Sequence, residues 1–260
     1  MQALYRYPWP MPSLKYALVT GASSGIGAAT VKSLISDGYS IIATARRKDR
    51  LEALAAENRG VELFPADLTS AADVKALATF CSDKNVELLV NCAGGAFDAA
   101  SVLDGDPEIW AKTYDINVIA TLRTTQAITP QMIQRGKGHI VIITSTAGHR
   151  AYENGGSYVA AKFAETSLAH TLRLELNGTP IRITEIAPGM VKTDEFAVNR
   201  FSGDAAKAAK VYEGVAAPLT AEDVAESIRW SVSLPEHFNV DSMVIRPVAQ
   251  AANHKVHRTP

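Results

Sequence analysis

Tyr158 and Lys162 stand four residues apart, a spacing that puts both side chains on one face of a helix. A phenol is a poor acid or base at neutral pH because its unperturbed pKa is about 10. A neighbouring ammonium favours the phenolate, so Tyr158 could give a proton to a carbonyl oxygen and take it back in the reverse direction. Thirteen residues upstream, Ser145 ends the apolar run Ile140-Val141-Ile142-Ile143-Thr144, where its hydroxyl can hold the same oxygen. A nucleophilic serine is the rival reading. No G-x-S-x-G elbow surrounds Ser145 and no triad order is evident, so hydrolysis is set aside.

A proton relay of this kind needs a hydride source. Thr20-Gly21-Ala22-Ser23-Ser24-Gly25-Ile26-Gly27 follows an apolar run and opens a helix. Glycines there permit a tight turn and let the backbone approach a pyrophosphate, whose charge is met by free N–H groups at the helix N-terminus. Gly21, Ser23, Ser24, Gly25, Ile26 and Gly27 are the candidate contacts, with the spacing G-x-x-x-G-x-G rather than G-x-G-x-x-G. About 20 residues further on, a dinucleotide-binding fold reads the adenosine ribose, with an acid for NAD or an arginine for the 2′-phosphate of NADP. Here stand Arg46 and Arg47, and no Asp or Glu. Two guanidiniums can pair with a phosphate dianion, so NADP(H) is the expected cofactor. Its oxidised nicotinamide would add a second positive charge beside Tyr158.

These residues need a scaffold that brings them together. Short β-rich runs at 16–20, 40–45, 61–65, 88–91, 139–144, 182–187 and 242–245 alternate with helical periodicity at 26–37, 50–58, 72–83, 107–134, 158–176 and 221–234. Thr220 reads as the N-cap of the last helix, with Glu222 and Asp223 in its first turn. The alternation specifies an α/β fold: one doubly wound Rossmann-type domain, with a mainly parallel seven-stranded sheet and helices on both faces. Residues 1–13 read as an N-terminal arm, unless Met11 is the natural start. Residues 14–250 form the oxidoreductase domain, in which 190–218 is a lid over the substrate, and 251–260 form a tail.

The chain has 260 residues, with 26 basic and 27 acidic side chains. That balance leaves no surplus of cations for wholesale binding of nucleic acid or an anionic membrane. Cys81 and Cys92 are too few for a disulfide framework, which points to the cytoplasm. No apolar run approaches the length of about 20 residues that a membrane helix needs. The six histidines lack any ligand spacing, so no metal is implied.

Thr20-Gly21-x3-Gly25-x-Gly27, Asn91-Cys92-Ala93-Gly94, Asn117, Ser145, Tyr158-x3-Lys162 and Pro188-Gly189 follow one another in the order and spacing of the short-chain dehydrogenase/reductase family, which the chain resembles from residue 14 to about 250. Thr193-Asp194-Glu195-Phe196, Arg200-Phe201-Ser202-Gly203-Asp204, 219–224, 247–250 and Val256-His257-Arg258 are similar to its NADP-dependent 3-hydroxy acid (serine-type) dehydrogenase branch. The resemblance implies Tyr158 as acid and base, Lys162 on the nicotinamide ribose, Ser145 on the carbonyl, and Asn117 as anchor of a proton-relaying water. It implies Asp67 and Leu68 near the adenine, Asn91, Ala93 and Gly94 along its ribose, and Pro188, Gly189, Val191 and Thr193 at the nicotinamide half. Cys92 replaces the family's second asparagine, which puts a structural hydrogen bond in doubt.

The resemblance also implies a homotetramer that converts a secondary alcohol and a carbonyl in a small 3-hydroxy acid or a related aldehyde or ketone. A carboxylate on that substrate would want a cation, for which Arg150 and Arg200 are the candidates. His149-Arg150-Ala151-Tyr152-Glu153 departs from the aromatic and apolar residues expected of that branch. The alternatives are a carbonyl reductase of a bulkier metabolite and a non-catalytic NADP(H)-binding redox sensor. The pair Tyr158 and Lys162 argues against the sensor.

Overall fold

The computed structural model describes residues 14–259, so the expected arm lies outside the described residues. The strands are β1 Tyr16–Thr20, β2 Ser40–Ala45, β3 Val61–Pro65, β4 Val86–Asn91, β5 Gly138–Ile143, β6 Ile181–Pro188 and β7 Ser242–Ile245. They form one sheet in the order β3-β2-β1-β4-β5-β6-β7, with every neighbouring pair parallel. From β1 the chain winds outward first through β2 and β3, then through β4 to β7. That reversal opens a crevice at the carboxyl ends of β1 and β4, where open α/β sheets bind ligands.

Parallel strands need helical crossovers, so both faces of this sheet are covered. The helices are α1 Gly25–Ser36, α2 Lys48–Glu57, α3 Ala71–Phe80, α4 Pro107–Tyr114, α5 Ala120–Arg135, α6 Gly156–Glu175, α7 Phe196–Arg200, α8 Ala205–Lys210 and α9 Ala221–Ser233. Side chains alternate across a strand, and β5 shows the result. Val141 and Ile143 join the core that includes Val31 and Leu34 of α1 and Val224 and Ile228 of α9. Ile140 and Ile142 join the opposite core, with Leu77 of α3, Ile128 and Met132 of α5, and Ala169 of α6. The start of α9 is fixed by a capping box, in which Thr220 Oγ1 accepts from Asp223 N–H and the Asp223 carboxylate accepts from Thr220 N–H.

Three segments differ from the sequence expectation. The stretch 107–134 is not one uniform helix, because a π-helical turn, Asp115–Ile119, separates α4 from α5. One widened turn shifts the phase of the later apolar pattern without interrupting the helical run, so a uniform helix is read through it. Residues after 250, expected as a tail, include the hairpin of β8 Gln250–Ala252 and β9 Lys255–Val256. Asn253 Nδ2 donates to Thr146 O at 3.2 Å and Arg150 O at 2.8 Å, which ties the hairpin beside Ser145. The expected lid carries α7 and α8 and is closed at its neck: Lys192 N–H donates to Leu219 O at 2.7 Å, and Leu219 N–H to Met190 O at 3.0 Å.

Candidate active site

The turn after β1 is shaped by contacts that only glycine allows. Gly21 takes a left-handed φ of 64°. A Cβ on Gly27 would collide with the Gly21 carbonyl, whose carbon would lie 2.7 Å away. The Thr20 hydroxyl accepts from the N–H groups of Cys92 and Ala93, both at 3.0 Å, and so joins the ends of β1 and β4. That bond anchors the main chain where the missing asparagine had left a structural contact in doubt. Gly21, Ser23, Ser24, Gly25, Ile26 and Gly27 line one crevice with Arg46, Arg47, Asp67, Leu68, Ala93 and Gly94. Asp67 Oδ1 accepts from Thr69 N–H at 3.0 Å and from Thr69 Oγ1 at 2.8 Å. Burial works to raise the pKa of this carboxyl, but those bonds and the Arg46 charge bring it below its usual range.

The Asn91 side chain turns away from this crevice. It is buried and turns toward α5, where Nδ2 donates to Thr125 Oγ1 at 3.3 Å.

A second cavity, of about 480 Å³, continues from the first and is lined by Ser145, Tyr158, Lys162, Pro188, Gly189, Val191 and Thr193. Tyr158 is 7% exposed, and its ring meets Phe196 edge-on at a centroid distance of 5.4 Å. Ser145 Oγ accepts from Ala147 N–H at 3.1 Å and donates to Pro188 O at 3.3 Å, which fixes the hydroxyl at the end of β5. Lys162 Nζ donates to Ile143 O at 3.0 Å and lies 5.6 Å from the centre of the Tyr158 ring.

The partner of that ammonium is Glu165, at 2.5 Å and equally buried. Burial pushes the Lys162 pKa down, but the Glu165 carboxylate more than offsets it and holds the ammonium charged. Burial lifts the Glu165 carboxyl to about 7 against the pull of Lys162. Glu165 was missed from the sequence although it lies on the same helical face as Lys162, three residues on.

Glu185 was also missed. It is fully buried on β6, and its carboxylate accepts from Thr144 Oγ1 at 2.7 Å, Thr166 Oγ1 at 2.8 Å and Ser242 Oγ at 2.7 Å, with His149 Nε2 at 2.9 Å. Burial works to raise its pKa, yet these donors lower it to about 2. The carboxylate clamps the residue before Ser145 to α6 and β7.

The structure separates the two candidate arginines. Arg150 is exposed and lines neither cavity, because its main chain is held by the hairpin while its side chain points outward. Arg200 lines the second cavity, donates to Tyr152 Oη at 3.3 Å and Asn154 O at 2.8 Å, and has a buried Nε with no hydrogen-bond partner. Asn117 lines neither cavity. It sits in the π-helical turn with Nδ2 donating to Gly95 O at 2.9 Å and Thr113 O at 2.7 Å, and with Oδ1 accepting from Gly95 N–H at 3.1 Å. Its side chain therefore holds the loop beside Gly94, where a Cβ would lie 2.5 Å from Asn117 Oδ1.

The profile of the family described as short chain dehydrogenase matches residues 15–201. The chain belongs to the short-chain dehydrogenase family. It is 48% identical to an oxidoreductase of Mycobacterium tuberculosis over 238 residues, 92% of this chain and 93% of the relative. It is 39% identical to the NADP-dependent 3-hydroxy acid dehydrogenase of Escherichia coli strain K12 over 246 residues, 93% of this chain and 98% of that enzyme. Its fold matches the closed form of serine dehydrogenase complexed with NADP+ at a TM-score of 0.87 and 36% identity, covering 94% of this chain and all of that one.

As a short-chain dehydrogenase it is an oxidoreductase acting on alcohol groups, and the expected parallel α/β scaffold is the one this family shares. Among the described residues no helix is long and apolar enough to cross a membrane, and no cluster of His, Cys, Asp or Glu is arranged to hold a metal.

Proposed function

We propose that this short-chain dehydrogenase uses NADP(H) to interconvert a small 3-hydroxy acid and its 3-oxo partner. The observation that carries the substrate reading is Arg200, which lines the cavity that holds Ser145 and Tyr158 and whose buried Nε has no hydrogen-bond partner. A substrate carboxylate in that cavity would give the Arg200 guanidinium a charged acceptor.

The crevice fits a dinucleotide phosphate on its own evidence. The glycine turn leaves no room for a Cβ at Gly27, and an anion, the Glu195 carboxylate, is already seated on Arg47 and Ser24. Ser23, Ser24, Gly25, Ile26 and the two arginines would hold the phosphates, and Lys162, Pro188, Gly189, Val191 and Thr193 would border the nicotinamide half. When bound, the cofactor exchanges a hydride with the substrate carbon. Ser145 holds the substrate oxygen by its fixed hydroxyl. Tyr158 keeps at its phenol oxygen the proton that this oxygen gains or loses, and the Lys162 ammonium beneath the ring steadies the charge that develops there.

Arg200→Ala is expected to raise KM for 3-hydroxy acids about 10–100-fold, the size of a lost charge-assisted hydrogen bond. A neutral secondary alcohol should be used as well as before. Equal losses on both substrates would remove the carboxylate from the reading.

We also place the enzyme in the cytoplasm as a homotetramer. Tyr114, Ile133 and Phe163 are exposed apolar side chains on α4, α5 and α6, and an apolar groove runs between α5 and α6. Sedimentation should give four times the 27.8 kDa chain mass, and recovery as a monomer would reject the assembly. Release of the protein by osmotic shock alone would reject the compartment.

A further inference from the structure

Glu195 brings an anion of this chain's own into the cofactor crevice. Its Oε1 accepts from Arg47 Nη1 at 2.7 Å and from Arg50, and its Oε2 accepts from Arg47 Nη2 at 2.8 Å and from Ser24 Oγ at 2.9 Å. The other side of the Arg47 guanidinium is spent on Ser23 Oγ, at 3.3 Å from Nε and 3.0 Å from Nη2. A planar guanidinium offering two parallel N–H groups, a second guanidinium and a hydroxyl beside a helix N-terminus make up the donor set that a phosphate group takes. These bonds, led by the one from Arg47, hold the Glu195 carboxyl down at about 2, so it is fully charged at neutral pH.

The pairing spans 148 positions of sequence and links the start of α7 to the start of α2. Glu195 lies just past the neck of the 190–218 segment. Two residues earlier, Thr193 packs over the glycine turn, its Cγ2 3.5 Å from where a Gly25 Cβ would stand. The segment that borders the substrate cavity therefore carries its own anion onto the cations that read the cofactor.

We propose that Glu195 is a specificity-determining residue for the dinucleotide: it occupies on Arg47, Arg50 and Ser24 the place that the 2′-phosphate takes, and it is displaced together with the start of α7 when that phosphate binds. This rests on the NADP(H) reading above. A nucleotide without the 2′-phosphate leaves Glu195 where it is, so removing the carboxylate helps only the phosphorylated ligand.

The test is calorimetric titration of wild type and Glu195→Gln with adenosine 2′,5′-bisphosphate and with 5′-AMP, which requires no turnover. The variant should bind the bisphosphate about two- to fivefold more tightly, the scale of a partly exposed ion pair, and 5′-AMP as before. Glu195→Ala should move in the same direction, which guards against a peculiarity of the amide. Weaker binding of both nucleotides would make Glu195 a clasp on the bound ligand and overturn the proposal, as would no change in either. A wild-type protein that prefers neither nucleotide would remove the NADP(H) reading itself. A wild-type preference left unwidened in both variants would remove this inference alone.

Discussion

Tyr158→Phe is expected to lower turnover by about 10²–10⁴-fold while dinucleotide affinity stays unchanged. The substitution removes one oxygen and keeps the ring, which packs edge-on against Phe196 and is almost fully buried. Fold and cavity walls therefore persist, and what disappears is the atom that holds the proton beside Ser145. The loss should fall on kcat and on kcat/KM together, the pattern of an interaction made in the transition state. Steady-state rates in both directions, with a fluorescence titration of NADPH on the same preparation, make the comparison. Near wild-type turnover would show that another group carries the proton. Absence of turnover in the wild type on any carbonyl compound, with cofactor still bound, would favour a redox sensor.

Lys162→Met should abolish turnover and also destabilise the fold, because it strands Glu165. Breaking a buried pair by removing one partner costs about 3–5 kcal/mol, since the survivor must lose its charge or bear it unpaired. The sign with pH follows from the shift already present. The Glu165 carboxyl is raised to about 7 from an ordinary 4.5. Its contribution to stability is therefore fully present below the unfolded value and lost as pH rises through the folded one. Without Lys162 the folded value climbs further, so the loss should extend into the alkaline range at about 1.4 kcal/mol per pH unit. Urea unfolding at acid and alkaline pH would show the variant falling away from wild type mainly at the alkaline end. Lys162→Met/Glu165→Leu should recover stability, flatten the pH dependence and remain inactive. A double variant no more stable than the single one would mean that Glu165 is not the source of the loss.

Much of this architecture is legible in the sequence. The seven strands were visible because parallel strands are buried on both faces and appear as unbroken apolar runs, as in Ile140 to Ile143. Gly21 and Gly27 were legible because close backbone approach leaves no other residue possible, Gly25 because its left-handed φ of 52° favours glycine, and Tyr158 with Lys162 because four residues bring two side chains to one helical face.

What escaped depends on direction and on long-range pairing. Arg150 and Arg200 are alike in type, and nothing local says that one points into the cavity and the other out of it. Asn91 and Asn117 are where the sequence put them, but their side chains are committed to Thr125 and to Gly95 and Thr113. Glu185 and Glu195 acquire their partners only when strands and loops from distant parts of the chain meet. Glu165 was the exception, since helical spacing alone would have revealed it. The hairpin after residue 250 lacks an apolar alternation, and it is held by bonds such as that from Met190 N–H to the Gln250 side chain, at 2.7 Å.

The closed neck of the 190–218 segment bears on how this enzyme can diversify. The main-chain bonds joining Met190 and Lys192 to Leu219, with the parallel bridge between Val191 and Leu219, bring both ends of the excursion together at the rim of the sheet. The entropy of closing a flexible loop grows only with the logarithm of its length, about 0.6 kcal/mol for each doubling. Added length beyond the neck therefore costs little chain entropy, provided that Phe196, Ala197 and Ala208, which pack into the fold, are kept. Substrate range can drift through added length in this one excursion, while the proton-handling residues enter from β5 and α6 and the packing of Phe196 on Tyr158 is kept.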